Sequence, residues 1–165
     1  MFGKVGMLMD GILGTRVMVQ VGMVVRDIEE SKRKFAALFD VPVPETVDAT
    51  EGEKKFHITQ SEFMGEKNPK MNAKLAFFEV GGAMAIELIE PNEEPSTWRE
   101  FLDEKGEGIH HMAFVVDDLD KRIQSCEDFG MKMIQRGNFA AGDGRYAYMD
   151  ASNSLKTIIE LLERW

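Results

Sequence analysis

The chain has 165 residues, 44% of them hydrophobic and 30% charged, which suits one compact unit with a sizeable core. Its net charge of −9 argues against a nucleic-acid surface, because phosphate binding rests on clustered Lys and Arg. Cys126 is the only cysteine, so no intrachain disulfide framework is possible and a reducing cytoplasm is the expected compartment.

Met1 to Thr15 is apolar and Gly-rich, but Lys4 and Asp10 interrupt it and no small-residue cleavage site follows. It reads as an N-terminal extension (1–15), packed on the body or on a partner subunit, and neither as a secretion signal nor as a membrane span. Residues 16–25 read as a strand. Asp27 then caps a helix over 28–39 whose apolar stripe is Ile28, Phe35, Leu38 and Phe39, stopped by Pro42 and Pro44. A weak strand near 45–49 precedes a polar, Lys-rich stretch over 51–72, expected to be a partly ordered insertion. Two strands, 73–80 and 83–90, form a hairpin about Gly81-Gly82. After Pro91 to Pro95, Ser96 caps a helix through Lys105, with Gly106 as its stop. A strand over 108–116, a helix over 118–129 and strands near 132–137, 145–150 and 157–162 complete the chain.

The second half repeats the first. Ile86-Glu87-Leu88-Ile89-Glu90 recurs as Ile159-Glu160-Leu161-Leu162-Glu163, and Gln20-Val21-Gly22-Met23-Val24-Val25 lines up with His111-Met112-Ala113-Phe114-Val115-Val116. Self-similarity of this kind indicates two copies of one supersecondary unit, each β-α-β-β-β, neither able to close a core alone. The expected fold is α+β, with one domain over 16–165: module one (16–90), a linker and helix (91–106), and module two (107–163). Module one is longer than module two by about 18 residues, which belong to the insertion.

The duplication pairs Gln20 with His111 and Glu87 with Glu160. Strand alternation puts Gln20 with Gly22 and Val24, His111 with Ala113 and Val115, Glu87 with Ala85 and Ile89, and Glu160 with Ile158 and Leu162. The opposite faces are also apolar, so these four polar side chains look inward. A lone carboxylate taken out of water costs several kcal/mol, roughly, and is tolerated when paired or bound to a metal. Taken singly, a strand Glu faces solvent more often than a ligand, and a strand Gln is usually only hydrogen-bonded. Four such residues at equivalent places in a duplication point to a shared cation. One imidazole, two carboxylates and one amide oxygen suit one divalent ion (Co, Zn, Mn, Ni or Fe) with exchangeable waters. By the same alternation Glu90 and Glu163 face solvent. His110 points away from the site as a core histidine or as support for its neighbour.

These residues resemble the vicinal-oxygen-chelate (glyoxalase/bleomycin resistance/dioxygenase) superfamily, in which two βαβββ modules form a cupped, metal-binding sheet. The run from Gly108 to Asp120 is similar to the signature of the methylmalonyl-CoA epimerase family, and Glu87 to Pro91 and Ile159 to Leu161 match its other ligand strands. The resemblance implies a metal-dependent isomerase that removes and returns an α-proton of a small acyl thioester through a metal-held enolate, as a homodimer. Its metal ligands would be Gln20, Glu87, His111 and Glu160. Glu160 would be the base, with Glu87 next, and Arg145, Tyr146, Tyr148 and His110 would contact substrate. For a polyphosphate handle the candidate cations are Lys54, Lys55, Lys67, Lys70 and Lys74, with Arg145 and Lys156.

The chain departs from the epimerase pattern in having Gln20 where His is usual. The set Gln, Glu, His, Glu resembles instead the ligands of glyoxalase I, a lactoylglutathione lyase. However, Val24 and Glu107 stand where that enzyme's glutathione-gripping Arg residues are expected. A second acid-base Glu of some epimerases falls near Ala76. A metal-free binding protein of the bleomycin-resistance kind and an iron dioxygenase complete the alternatives.

Overall fold

The structure is a computed structural model that describes residues 11–48, 59–139 and 142–165. Its elements are β1 (Met18–Val24), α1 (Ile28–Phe39), β2 (Val47–Asp48), β3 (Thr59–Phe63), β4 (Glu66–Lys67), β5 (Ala73–Val80) and β6 (Met84–Pro91) in the first half. The second half holds α2 (Thr97–Lys105), β7 (Gly108–Val115), α3 (Leu119–Asp128), β8 (Lys132–Asn138), β9 (Gly144–Asp150) and β10 (Ile158–Arg164).

The helices begin at short polar residues that take up an orphan backbone N–H. Asp27 accepts from the Glu30 amide at 2.8 Å, Ser96 from Arg99 at 3.0 Å and Asp118 from Lys121 at 3.3 Å. Asp40 adopts a left-handed conformation and closes α1 by donating its N–H to the Ala36 carbonyl. The buried stripe of α1 is Ile28, Lys32 and Ala36, and Leu38 is 71% exposed, which corrects the expected stripe. Lys32 buries its aliphatic stem while its ammonium donates to Thr46 at 2.6 Å and pairs with Glu29 at 2.9 Å.

Among the described residues all ten strands form one sheet in the order β2-β5-β6-β1-β7-β10-β9-β8-β3-β4. In each half the first strand runs parallel to the last, β1 with β6 and β7 with β10, and the halves meet where β1 and β7 pair antiparallel. The insertion does more than expected of it. From Thr59 onward it forms β3 and β4, and β3 pairs with β8, so a segment of the first half extends the sheet edge of the second. Residues 51–58 of the insertion lie outside the described residues.

Two faces carry separate cores. On one face α1 covers a cluster of Val25, Ile28, Ala36, Ala76, Phe78 and Leu88, and α3 covers Val116, Ile123, Cys126, Met149, Ile159 and Leu161. Ile12 and Leu13, at the end of the N-terminal extension, pack on the second of these; residues 1–10 lie outside the described residues. On the other face α2 drops Trp98 and Leu102 among Val24, Ile89, Ala113, Tyr146, Tyr148 and Leu162. This inner face is the one that carries Gln20, Glu87, His111 and Glu160. Among the described residues no helix is long and apolar enough to cross a membrane.

The repeated pentapeptides divide their two carboxylates between the faces. Glu90 and Glu163 do not simply face solvent, as alternation suggested. Glu90 accepts the backbone N–H of Ile28 at 2.8 Å and Glu163 that of Leu119 at 3.3 Å, so each carboxylate sits at the start of its own module's helix, where the N–H groups and the dipole favour negative charge. Lys74 and Arg145 pair with them from neighbouring strands.

Candidate metal centre

Register brings the four residues together. Gly22 lies between Glu87 on β6 and His111 on β7, while Ala113 lies between Gln20 on β1 and Glu160 on β10. A polar residue therefore sits beside a small one on each strand of the central seam. The small neighbours leave the space into which the longer side chains converge.

The Oε2 atoms of Glu160 and Glu87 lie 3.0 and 3.5 Å from Nε2 of His111. Nε2 of Gln20 donates to Glu87 at 2.7 Å and to Glu160 at 3.3 Å, and stands 3.4 Å from Nε2 of His111. Donor atoms of Glu87, His111 and Glu160 all lie within 4.8 Å of one another, so this group can hold a metal ion. His111 is 0%, Glu160 4% and Glu87 7% exposed, and Gln20 is half-buried.

Burial alone would pull the His111 imidazole toward its neutral form, but the two carboxylates overcome it and push its pKa up to about 9. Burial pushes the Glu87 carboxyl above its ordinary value, with His111 pulling it down and Glu160 pushing it further up. Two buried carboxylates held by a single imidazole leave negative charge uncompensated, which a divalent cation would balance. The donor set of one imidazole nitrogen and two carboxylate oxygens fits such an ion. Gln20 presents its amide N–H₂ to the carboxylates, and a cation among them would reverse that amide to bring in its oxygen.

His110 is not where simple alternation puts it. On the pairing of β1 with β7, Gly22 faces His111 and Met23 faces Ile109, so His110 is the extra residue of a β-bulge. The bulge turns its ring onto the inner face, 3.0 Å from His111 Nδ1 through its own Nδ1, and packs it edge-on against Phe101 and Tyr148. It is 2% exposed, and burial and the neighbouring imidazole push its pKa well below the ordinary histidine value. Val19 occupies the same place in β1, where Met18 pairs with Phe114 and Gln20 with Ala113. Bulges of this kind leave no mark in hydrophobic alternation, and both escaped the sequence reading.

Tyr146 and Tyr148 lie buried on the inner face, Tyr148 directly across from Glu160. The Tyr148 hydroxyl accepts from Trp98 Nε1 at 3.1 Å, and Tyr146 from Gln135 at 3.2 Å. Gln135 also receives the Thr97 amide at 2.9 Å, so α2 is tied to the sheet by polar contacts that sequence periodicity did not indicate. Burial, followed by the Glu160 and Glu87 charges, raises the Tyr148 hydroxyl well above its ordinary pKa.

Other candidates lie elsewhere. Arg145 sits on the opposite face from Tyr146, bonded to Glu163 at 2.5 Å and to Asp120 at 2.8 Å, and borders a cavity of about 400 Å³ with Arg136, Lys67 and Glu62. The structure does not bring Arg145 to the four-residue cluster. Ala76 pairs with Leu88 and faces the core under α1, and the residue of β5 that lies across from Glu87 is Phe77. Val24 is buried under α2, and Glu107 accepts the Arg26 amide at 2.8 Å. Lys74 pairs with Glu90, Lys156 donates to the Asn153 carbonyl, and Lys54 and Lys55 lie outside the described residues.

Comparison with known proteins agrees with this arrangement. Residues 19–148 match the Glyoxalase/Bleomycin resistance protein/Dioxygenase superfamily. Uncharacterized protein YqjC of Bacillus subtilis (strain 168) is 30% identical over 95 residues, covering 57% of this chain and 67% of its own. Among solved structures, methylmalonyl-CoA epimerase from Mycobacterium tuberculosis superposes with a TM-score of 0.63 at 21% identity, over 97% of this chain and 94% of that one. A Streptomyces coelicolor methylmalonyl-CoA epimerase variant in complex with 2-nitronate-propionyl-CoA gives 0.61 at 20% identity, over 89% and 96%. Likeness at such identity speaks for the fold. On the match over most of its length, and with two halves of β-α-β-β-β order, apart from the inserted β3 and β4, meeting at a buried Glu-His-Glu group, the chain belongs to the glyoxalase/bleomycin resistance protein/dioxygenase superfamily.

Proposed function

We propose that this protein is a metal-dependent epimerase or isomerase that removes and returns the α-proton of a small acyl thioester. The observation that carries the reading is the convergence of Glu87, His111 and Glu160, with Gln20 beside them, on the buried inner face. Likeness in fold to methylmalonyl-CoA epimerases supports the choice of reaction class.

In this reading Gln20, Glu87, His111 and Glu160 hold one divalent ion. When bound, the ion supplies Lewis acidity that makes the C–H beside a chelating carbonyl acidic. Glu160 takes the proton on a carboxylate oxygen, and inversion follows when the planar carbon turns its other face to Glu160 before the proton returns. Gln20 binds Glu87 at 2.7 Å and Glu160 at 3.3 Å, whereas His111 stands nearer Glu160, at 3.0 Å against 3.5 Å, so the amide holds Glu87 and the imidazole holds Glu160. Tyr148, across the strand pair from Glu160, keeps its hydroxyl proton at neutral pH and so does not compete with the base for the substrate proton. His111, Glu160 and Glu87 are buried on the inner face that also carries the apolar cluster of Trp98, Phe101 and Tyr146, and burial strengthens each electrostatic contact among them.

The test is proton exchange in D₂O followed by NMR. The metal-loaded protein should place deuterium at the α-carbon of a 2-carboxyacyl-CoA such as methylmalonyl-CoA. Metal-loaded protein that leaves this proton untouched yet converts the methylglyoxal–glutathione hemithioacetal would make it a lyase instead. Inertness toward both, together with failure to bind any divalent ion, would leave a metal-free binding protein.

A further inference from the structure

We infer that His110 is a positioning residue for this centre: it accepts a hydrogen bond from Nδ1–H of His111 and so holds that imidazole in the tautomer whose Nε2 lone pair faces Glu87, Glu160 and Gln20. The inference rests on the reading of His111 as a metal ligand. It follows from three features of the fold.

The two Nδ1 atoms stand 3.0 Å apart between buried rings lying at 89° to one another. A hydrogen bond of this kind contains one proton, so one ring donates and the other accepts. Nε2 of His111 is the nitrogen that meets the carboxylates. For that nitrogen to bind a cation, a neutral His111 must carry its proton on Nδ1, which makes His110 the acceptor. His110 then carries its own proton on Nε2. That nitrogen is buried with no hydrogen-bond partner among the described residues, and the Thr97 backbone acts on the ring as a hydrogen-bonding group without closing a bond that meets normal geometry. A buried donor left short of a partner is costly and calls for an explanation. Fixing the tautomer of a ligand supplies one.

The duplication provides the internal comparison. Val19 and His110 are equivalent bulge residues, each immediately before an inward polar residue, and Val19 packs with the apolar cluster of the inner face. In the first half the following residue is Gln20, whose amide oxygen has no tautomer to select. In the second half it is His111, which has two. The half that needs a partner for its imidazole has one.

The contact is tested directly by NMR on protein carrying ¹⁵N-labelled histidine, metal-free and zinc-loaded. The expected result is scalar coupling between the two Nδ1 nitrogens across the hydrogen bond, with the His110 proton on Nε2. Zinc or cobalt titrations should then show His110→Phe weakening metal binding by about 10- to 100-fold, the range for losing such a partner. His110→Asn, whose side-chain oxygen can accept in the place of Nδ1, should recover affinity to within roughly threefold of the parent. Absence of the coupling, a proton on Nδ1 of His110, or a folded His110→Phe protein with unchanged metal affinity would each overturn the inference. If the parent protein takes up no divalent ion, the metal reading falls. The nitrogen coupling and the place of the His110 proton in the metal-free protein still decide whether His110 accepts from Nδ1–H of His111.

Discussion

Gly22 stands across the β1–β7 seam from His111, and a Cβ at that position would lie 1.9 Å from Cε1 of the imidazole and 2.4 Å from each ring nitrogen. The backbone there is ordinary strand, so the requirement for glycine is one of space alone. Even a methyl group must push the ring out of the cluster. Gly22→Ala is expected to lower stability by about 1–3 kcal/mol, as overpacking does. It should also weaken metal binding by about 10- to 100-fold as the imidazole leaves its place. Calorimetric titration of the ion and thermal unfolding of the metal-free protein measure the two effects separately. Parent-like values in both would mean that the ring relaxes at no cost.

Metal binding should depend on pH through the same imidazole. In the metal-free protein the two carboxylates hold His111 protonated up to about pH 9, and a ligand nitrogen must give up that proton. The sign follows: below about pH 9 the cation competes with the proton, so apparent affinity should strengthen about tenfold per pH unit from this group. Metal loading at pH 7 should release acid into a weakly buffered solution. The metal-free protein behaves in the opposite sense. His111 has its pKa raised by folding, so its ion pair contributes stability that is fully present below about pH 6.5 and is lost as pH rises through about 9. An affinity that does not change between pH 6 and 8 would show that His111 is already neutral there.

Much of this architecture was legible because it is written twice. The repeated pentapeptide and the matched first strands marked the polar residues that the register then brought to one cluster. The same repeat held a second message, since Glu90 and Glu163 are equivalent too, and equivalent carboxylates call for equivalent partners. Their partners are the N–H groups that begin α1 and α3, which alternation along one strand does not reveal. The His110 and Val19 bulges were illegible for another reason. An extra residue in a strand is defined only by what it fails to pair with across the seam, ninety positions away in sequence. The partnership of β3 with β8 is likewise long-range and has no counterpart in the repeat. The face of α1 was misjudged because Lys32, a polar residue in any hydropathy pattern, is buried along its stem.

Neutralising either helix-starting carboxylate should affect folding and leave the centre intact. Glu90→Ala and Glu163→Ala each remove an acceptor at a helix N-terminus, worth about 0.5–2 kcal/mol in comparable positions. For a chain of this size that corresponds to a fall of roughly 2–4 °C in melting temperature per kcal/mol. Metal affinity should stay at the parent level, because both side chains lie on the far face. A loss of metal without loss of stability in Glu90→Ala would place Glu90, not Glu87, at the ion.

Cys126 should be inert in the folded protein. It is fully buried on the sheet-facing side of α3, and burial pushes its thiol up to about 11, so little thiolate forms at pH 8 and none of it is accessible. Alkylation by iodoacetamide at that pH should proceed only as fast as the protein opens, and should become rapid in denaturant. Fast labelling of protein with native circular dichroism would show that α3 is less firmly packed than its contacts indicate.

Glu160→Gln separates holding the ion from moving the proton. The amide keeps an oxygen in almost the same place, with Ala113 beside it and Tyr148 across from it, but it cannot take a proton at neutral pH. Replacing a carboxylate by an amide weakens the charge balance at the cation, so some loss of affinity is expected, and the exchange assay is therefore run at saturating metal. Under that condition α-proton exchange should fall by about 10²–10⁴-fold, the range for losing a general base. Phe77, the residue across from Glu87 on β5, has no titratable group to take over. Glu87→Gln serves as the counterpart: a substitution at a carboxylate that only holds the ion should leave exchange at saturating metal much closer to the parent rate. If the two variants exchange the order of their effects, Glu87 is the base and Glu160 the ligand. If Glu160→Gln exchanges at the parent rate when fully loaded, the proton is carried by a group outside this pair of carboxylates.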